Sequence, residues 1–197
     1  MKIGIILLPL VIAPIFFLGT PVIASGWNFT FETVNHTPEE GFPYSELRFK
    51  GPENNMGFIL PEGWVATGGG DRLVFNPAGR AQVRYEIQAI PGAGTHNFDD
   101  EQVVEAHRKW VVSIVPPEAQ EISIVEENRD FFPVTTFNKY QFIIGYSLFG
   151  SSYRRSIFLL HDKHENQLRF ITTAPEAEFA EFHEEVRRAM FGWGAVD

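Results

Sequence analysis

The sequence contains no cysteine. Disulfide staples, thiol redox chemistry and a lipid anchor on an N-terminal cysteine are therefore excluded, and the chain must be held by its core alone. Cationic residues are in deficit: 16 Lys and Arg against 25 Asp and Glu leave a formal charge of −9. Such a surface repels phosphate backbones and anionic lipid, so nucleic acid is not an expected partner. Internal repeats, linkers and low-complexity runs are also missing, which points to one domain.

What is present begins with a leader-like segment. Lys2 precedes an almost unbroken apolar run from Ile3 to Leu18, followed by Gly19-Thr20-Pro21 and Val22-Ile23-Ala24. Charged, then apolar, then small is the order of a secretory signal peptide. The run is short for a span of about 20 residues, Pro9 and Pro14 weaken it, and no basic cluster follows to stop transfer. The expectation is a signal peptide over 1–24 with cleavage after Ala24. The product would be exported to a periplasmic or extracellular compartment, with no stable membrane anchor after cleavage.

Hydrophobic residues make up 44% of the chain and aromatics 14%, with 19 Phe, which is globular composition. Residues 25–45 show little periodicity and read as an extended lead-in. They carry two loose glycosylation sequons, at Asn28 and Asn35. A single α+β domain is expected over 46–197. Its clearest strand alternates Ala81, Val83, Tyr85, Ile87 and Ala89 with Gln82, Arg84, Glu86 and Gln88. A helix capped by Asp99 or Asp100 carries Val103, Ala106, Trp110 and Ile114 at helical spacing and ends before Pro116-Pro117. Tyr140, Phe142, Ile144, Tyr146 and Leu148 share one face of a later strand, and the segments flanking Asp162–Gln167 read as a hairpin. A last helix from about Glu176 carries an apolar stripe of Phe179, Phe182, Val186, Met190 and Trp193. About seven strands with two helices predict an antiparallel sheet with helices packed on it, covered at least partly on both sides.

The order of these elements, and the opening Phe58-x-x-Pro61-x-x-Trp64, resemble the PsbP-like fold over roughly Met56 to Trp193. That superfamily includes an extrinsic photosystem II subunit, a Ran-binding transport factor and bacterial exported domains of unassigned function. The resemblance implies an α/β/α sandwich and makes an accessory, non-catalytic role plausible. No photosystem-binding or Ran-binding residue of the family is matched to a position here, because a fold carries architecture and not activity.

Catalytic signatures fall short. Gly145-Tyr146-Ser147-Leu148-Phe149 lacks the second glycine of a nucleophile elbow. Gly68-Gly69-Gly70 lacks the Lys-Ser/Thr of a phosphate loop. The run His161-Asp162-Lys163-His164-Glu165 offers metal-type side chains, but in a turn they diverge around a lysine, so no metal or other cofactor is assigned. His107 and His183 lie on helices and read as structural. The remaining candidates are Arg84, Arg154 and Arg169 on three strands, which could share a polar sheet face and bind a carboxylate, a sulfate or an acidic partner. The expected function is an exported, non-catalytic accessory or binding domain for a protein partner or a small anionic ligand. The alternative is an exported hydrolase that assembles Ser147 or Ser151 with His161 or His183 from distant positions.

Overall fold

A computed structural model describes residues 26–94, 96–129, 138–190 and 193–196. The leader expected over 1–24 lies outside the described residues. Eleven strands and two helices occur among them: β1 (Asn28–His36), β2 (Tyr44–Lys50), β3 (Asn55–Leu60), β4 (Trp64–Gly69), β5 (Arg72–Pro77), β6 (Arg84–Ile90), α1 (Glu101–Ser113), β7 (Gln120–Asn128), β8 (Asn138–Leu148), β9 (Ser151–His161), β10 (Gln167–Pro175), α2 (Glu176–Met190) and β11 (Gly194–Val196). The fold is α+β. A seven-stranded antiparallel sheet runs β4-β5-β6-β10-β9-β8-β7, and a four-stranded sheet runs β1-β2-β3-β11. No described helix is long and apolar enough to cross a membrane.

Alternation along the strands sends side chains to two faces, and each face has its own core. Tyr85, Ile87, Ala89, Leu168 and Phe170 meet Phe179, Phe182, Val186 and Met190 of α2 together with Phe29, Leu47, Phe49 and Phe58 of the smaller sheet. On the other face Phe142, Ile144, Ile157 and Leu159 meet Val104 and Val111 of α1. Among the described residues the large sheet is thus covered on both sides, by α1 on one and by α2 with the second sheet on the other.

The second sheet was not legible from the sequence. The stretch expected as an extended lead-in contains the nine-residue β1, which pairs with β2 through Thr33–Leu47 and Asn35–Ser45. Trp27 and Phe29 are core residues, so this stretch is part of the domain. In the glycine run, Gly68 and Gly69 end β4, and the hairpin turns at Gly70-Asp71. Gly68 is needed for close approach, since a Cβ there would stand 2.9 Å from the Phe29 carbonyl oxygen. That is tighter than van der Waals contact allows, so β1 could not pack against this end of β4.

Helix α1 starts where expected, with Asp100 accepting the Gln102 backbone N–H at 2.9 Å. Its buried stripe, however, is Val104, His107 and Val111, while Ala106 is exposed. The seam is displaced because His107 occupies a core position. Trp193, read as the end of the α2 stripe, lies beyond the helix. Its ring packs among Trp27, Phe49, Phe58 and Phe170.

Candidate functional site

Strand register builds a polar cleft on the α1 side of the large sheet. Thr173 of β10 stands between Arg84 of β6 and Arg155 of β9, while Gln88 stands between Arg72 of β5 and Arg169 of β10. Between these rows, Val74, Glu86, Ile171 and Ile157 lie side by side. Residues two apart on a strand point the same way, about 7 Å from one another, so both arginine rows face one space with a single carboxylate between them. Trp110 and Ile114 of α1 and its cap close the side, leaving a cleft of about 290 Å3.

Four guanidinium groups in this cleft face one carboxylate. Arg72 and Arg84 approach Glu86 at 2.7 and 2.9 Å, and their side chains stay about half exposed. Burial pushes the Glu86 carboxyl up, but hydrogen bonds from Arg72 and Gln88 and the charges of Arg72 and Arg84 outweigh it and hold it below the usual range. Arg155 donates to Thr173 Oγ1 at 3.0 Å and to the Ile114 carbonyl at 2.7 Å, one of the terminal carbonyls that a helix leaves unpaired. Arg169 lies 4.2 Å from the centre of the Trp110 ring and donates to Gln167 Oε1. Burial pushes its guanidinium down from the ordinary arginine range.

Of the three arginines singled out in the sequence, Arg84 and Arg169 meet in this cleft. Arg154 does not. Its neighbour Arg155 lines the cleft, so Arg154 points to the opposite face, where it donates to Glu176 at the start of α2 at 2.6 and 3.0 Å. Arg72 was not anticipated from the sequence, and on β9 the cleft takes Arg155 in place of the adjacent Arg154. The cue was present in Arg154-Arg155, since adjacent strand residues cannot share a face.

A deeper cluster continues the same seam. His96 precedes α1, His107 sits in its middle, and His161 ends β9; one ring nitrogen of each lies within 4.8 Å of the others. His107 Nδ1 is 2.8 Å from the Val103 carbonyl oxygen and His161 Nδ1 is 3.0 Å from that of Gly94. A carbonyl only accepts, so both rings carry their proton on Nδ1 and keep a lone pair on Nε2. Gln167 Nε2 stands 3.0 Å from His161 Nε2 and 3.5 Å from His107 Nε2. Burial, reinforced by the neighbouring His96, lowers His161 to about 4; burial also lowers His107. Both are neutral at pH 7.

The run His161–Glu165 does not converge as a unit. Asp162 Oδ1 accepts the backbone N–H groups of His164 and Asn166, and Lys163 pairs with Glu53. Only His161 joins the imidazole cluster, through partners 54 and 65 residues earlier in the chain. The hydrolase pairing of Ser147 with His161 is also unsupported. On the β8–β9 ladder Ser147 stands opposite Ser152 and His161 opposite Asn138, nine residues or about 30 Å apart. His183 is stacked on Phe179 and stands 3.2 Å from Gln141 Nε2, whose amide donates to Ser156 rather than to Ser147 or Ser151. A larger depression of about 590 Å3 runs along α2, but Glu184 there is already paired with Arg188, and Glu185 accepts the Trp64 indole N–H.

No protein-family model matches the sequence, and no curated protein matches it. Solved structures do. The chain is similar to the cyanobacterial PsbP, CyanoP, of Synechocystis sp. PCC 6803, with a TM-score of 0.54 and 12% identity over 82% of this chain and 98% of that one. It is similar to the Saccharomyces cerevisiae Ran-binding protein Mog1p, with a TM-score of 0.50 and 7% identity over 85% and 97%. A mutant form of Mog1 gives a TM-score of 0.51 at 8% identity over 72% and 91%. The chain has the PsbP/Mog1-like fold. At these identities the likeness is one of fold and not of site residues.

Proposed function

We propose that this chain is an exported, non-catalytic binding domain whose arginine cleft recognises the carboxylates of a protein partner or of a small anionic ligand. The observation that carries this reading is the charge of the cleft: three positive charges in excess, in a chain of formal charge −9. Concentrating cations on one face of an acidic protein costs self-repulsion, which a bound anion relieves. Guanidinium groups offer paired N–H donors that match a carboxylate, and in a half-enclosed cleft such bonds are stronger than on an open surface. A fold shared with a protein described as Ran-binding is consistent with a binding role.

Export rests on the order of charge, apolar run and small residues in the first 24 positions. Intact mass of the protein from its native compartment tests it: the mature chain begins at or near Ser25, and retention of Met1–Ala24 in a cytoplasmic product overturns it. The binding role is tested by co-purification from the exporting cell, read by mass spectrometry, with wild-type and Arg84→Glu chains as bait. An acidic partner held at low salt by the wild type and released by the charge reversal supports the proposal. Equal recovery on both baits rejects the cleft.

A further inference from the structure

We infer that His96, His107 and His161 form a binding site for a divalent late first-row transition ion of the zinc type. Three separate elements bring these rings together: the loop between β6 and α1, the buried stripe of α1, and the last residue of β9. Ring centroids of His96 lie 4.8 Å from His161 and 5.1 Å from His107. Phe98 packs against both His107 and His161, at 5.2 and 5.5 Å, and supplies an apolar wall.

Two features separate this arrangement from a packed core histidine cluster. First, His107 and His161 each give their Nδ1–H to a backbone carbonyl, which is how metal-binding imidazoles are held in one tautomer with the Nε2 lone pair free to coordinate. Second, Nδ1 of His96 is buried with no hydrogen-bond partner among the described residues. A buried polar atom left unsatisfied opposes folding, and a metal bond would satisfy it.

The donor set selects the ion. Three neutral imidazoles without carboxylate or thiolate suit zinc, copper, nickel or cobalt, and are poor ligands for calcium or magnesium, which require oxygen. Three protein ligands also leave a fourth position open. Bonds of about 2.0–2.1 Å place ligand nitrogens roughly 3.4 Å apart at tetrahedral angles, so the 4.8 Å spread must contract. Of the three rings, His96 alone has no Nδ1 partner among the described residues, so its side chain is the one least tied, while Asn138 Nδ2 donates to its backbone carbonyl. Binding also requires the Gln167 amide to leave the Nε2 atoms that it now faces. Arg169 holds Gln167 by its oxygen, and its positive charge opposes the ion, so affinity is set by that competition.

Zinc titration of the metal-stripped full chain by calorimetry tests the site. Cobalt(II) serves as a spectroscopic probe, because its visible absorption distinguishes four-coordinate from hydrated ion. One zinc per chain is expected, together with a four-coordinate cobalt spectrum. His96→Gln and His161→Gln should each weaken binding by about 100-fold or more, given that even outer-shell changes cost 10- to 100-fold. His164→Gln, at the neighbouring turn, should leave it unchanged. His96 is the less buried of the cluster, so its variant remains informative if His161→Gln does not fold. No stoichiometric zinc binding by the wild type, or binding that both cluster variants retain, overturns the assignment.

Discussion

Trp27 donates its indole N–H to the Asp162 carboxylate at 3.1 Å, across 135 residues of chain. This bond ties the segment ahead of β1 to the turn between β9 and β10. Asp162 also accepts the backbone N–H groups of His164 and Asn166 and the Asn166 side-chain amide. Burial raises its carboxyl, but these donors together hold it below the usual range. The same residue therefore anchors the N-terminal segment and shapes the turn that follows His161. Trp27→Phe keeps the aromatic bulk and removes one donor to a buried carboxylate, which should cost about 1–3 kcal/mol. Urea denaturation measures it. A midpoint equal to wild type would mean that the N-terminal segment is only loosely attached.

The α2 stripe makes a stronger demand. Phe182 is fully buried and its ring lies 5.3 Å from that of Trp64, so Phe182→Ala opens a cavity between α2 and the large sheet. The expected loss is about 3–5 kcal/mol, as for other buried aromatic truncations. An unchanged denaturation midpoint would show that the helix does not dock by this face.

Acid should weaken the fold before its carboxylates protonate. His161 titrates near 4 when folded against an ordinary value of 6.5, and His107 and His183 are lowered in the same direction, in each case chiefly by burial. Above about pH 6.5 both folded and unfolded histidines are neutral and this stability is complete. Below it the unfolded chain takes up protons first, so stability falls as pH drops from 6.5 toward 4. Glu86 and Asp162, held below their ordinary values, add their own losses only below about pH 4.5. Denaturation midpoints at pH 7 and pH 5 measure the histidine part. His161→Gln should make that difference smaller, and an identical pH dependence would contradict the assignment.

Arg154 and Arg155 are adjacent but have different work. Arg154 holds a partly exposed ion pair with Glu176, so Arg154→Ala should change stability by no more than about 1 kcal/mol and leave anion binding intact. Arg155 satisfies the Ile114 carbonyl at the end of α1, so Arg155→Ala should speed amide exchange in the last turn of α1 and weaken anion binding. Equal effects of the two substitutions would refute the division of faces.

These residues also show what the sequence could reveal. The stripe Phe179, Phe182, Val186 and Met190 was legible because hydrophobicity alone marks it, and so was the alternation of Val83, Tyr85, Ile87 and Ala89 in and around β6. The α1 seam was displaced because its central position is His107, which hydrophobic periodicity counts as polar. The small sheet was hidden because β1 is largely exposed: among its residues only Phe29 is buried, and alternation with one buried member leaves no pattern. Arg84 and Arg169 line the same cleft from separate rows, whereas distinguishing Arg154 from Arg155 required the register. The imidazole cluster draws on residues 96, 107 and 161, which lie on the β6–α1 loop, on α1 and at the end of β9, so it forms through the packing of elements distant in the chain.

The most direct measurement of the central claim is the affinity of a glutamate-rich peptide for wild type and Arg84→Glu, at about 0.02 M and 0.2 M salt. Screening shortens from roughly 20 Å to less than 10 Å over that range, so contacts between exposed charges weaken while enclosed ones largely persist. Saturable binding to the wild type, reduced several-fold by salt and at least tenfold by Arg84→Glu, is the result that a carboxylate-recognising cleft predicts. Equal affinity for both proteins at low salt, or no binding by the wild type, would contradict it.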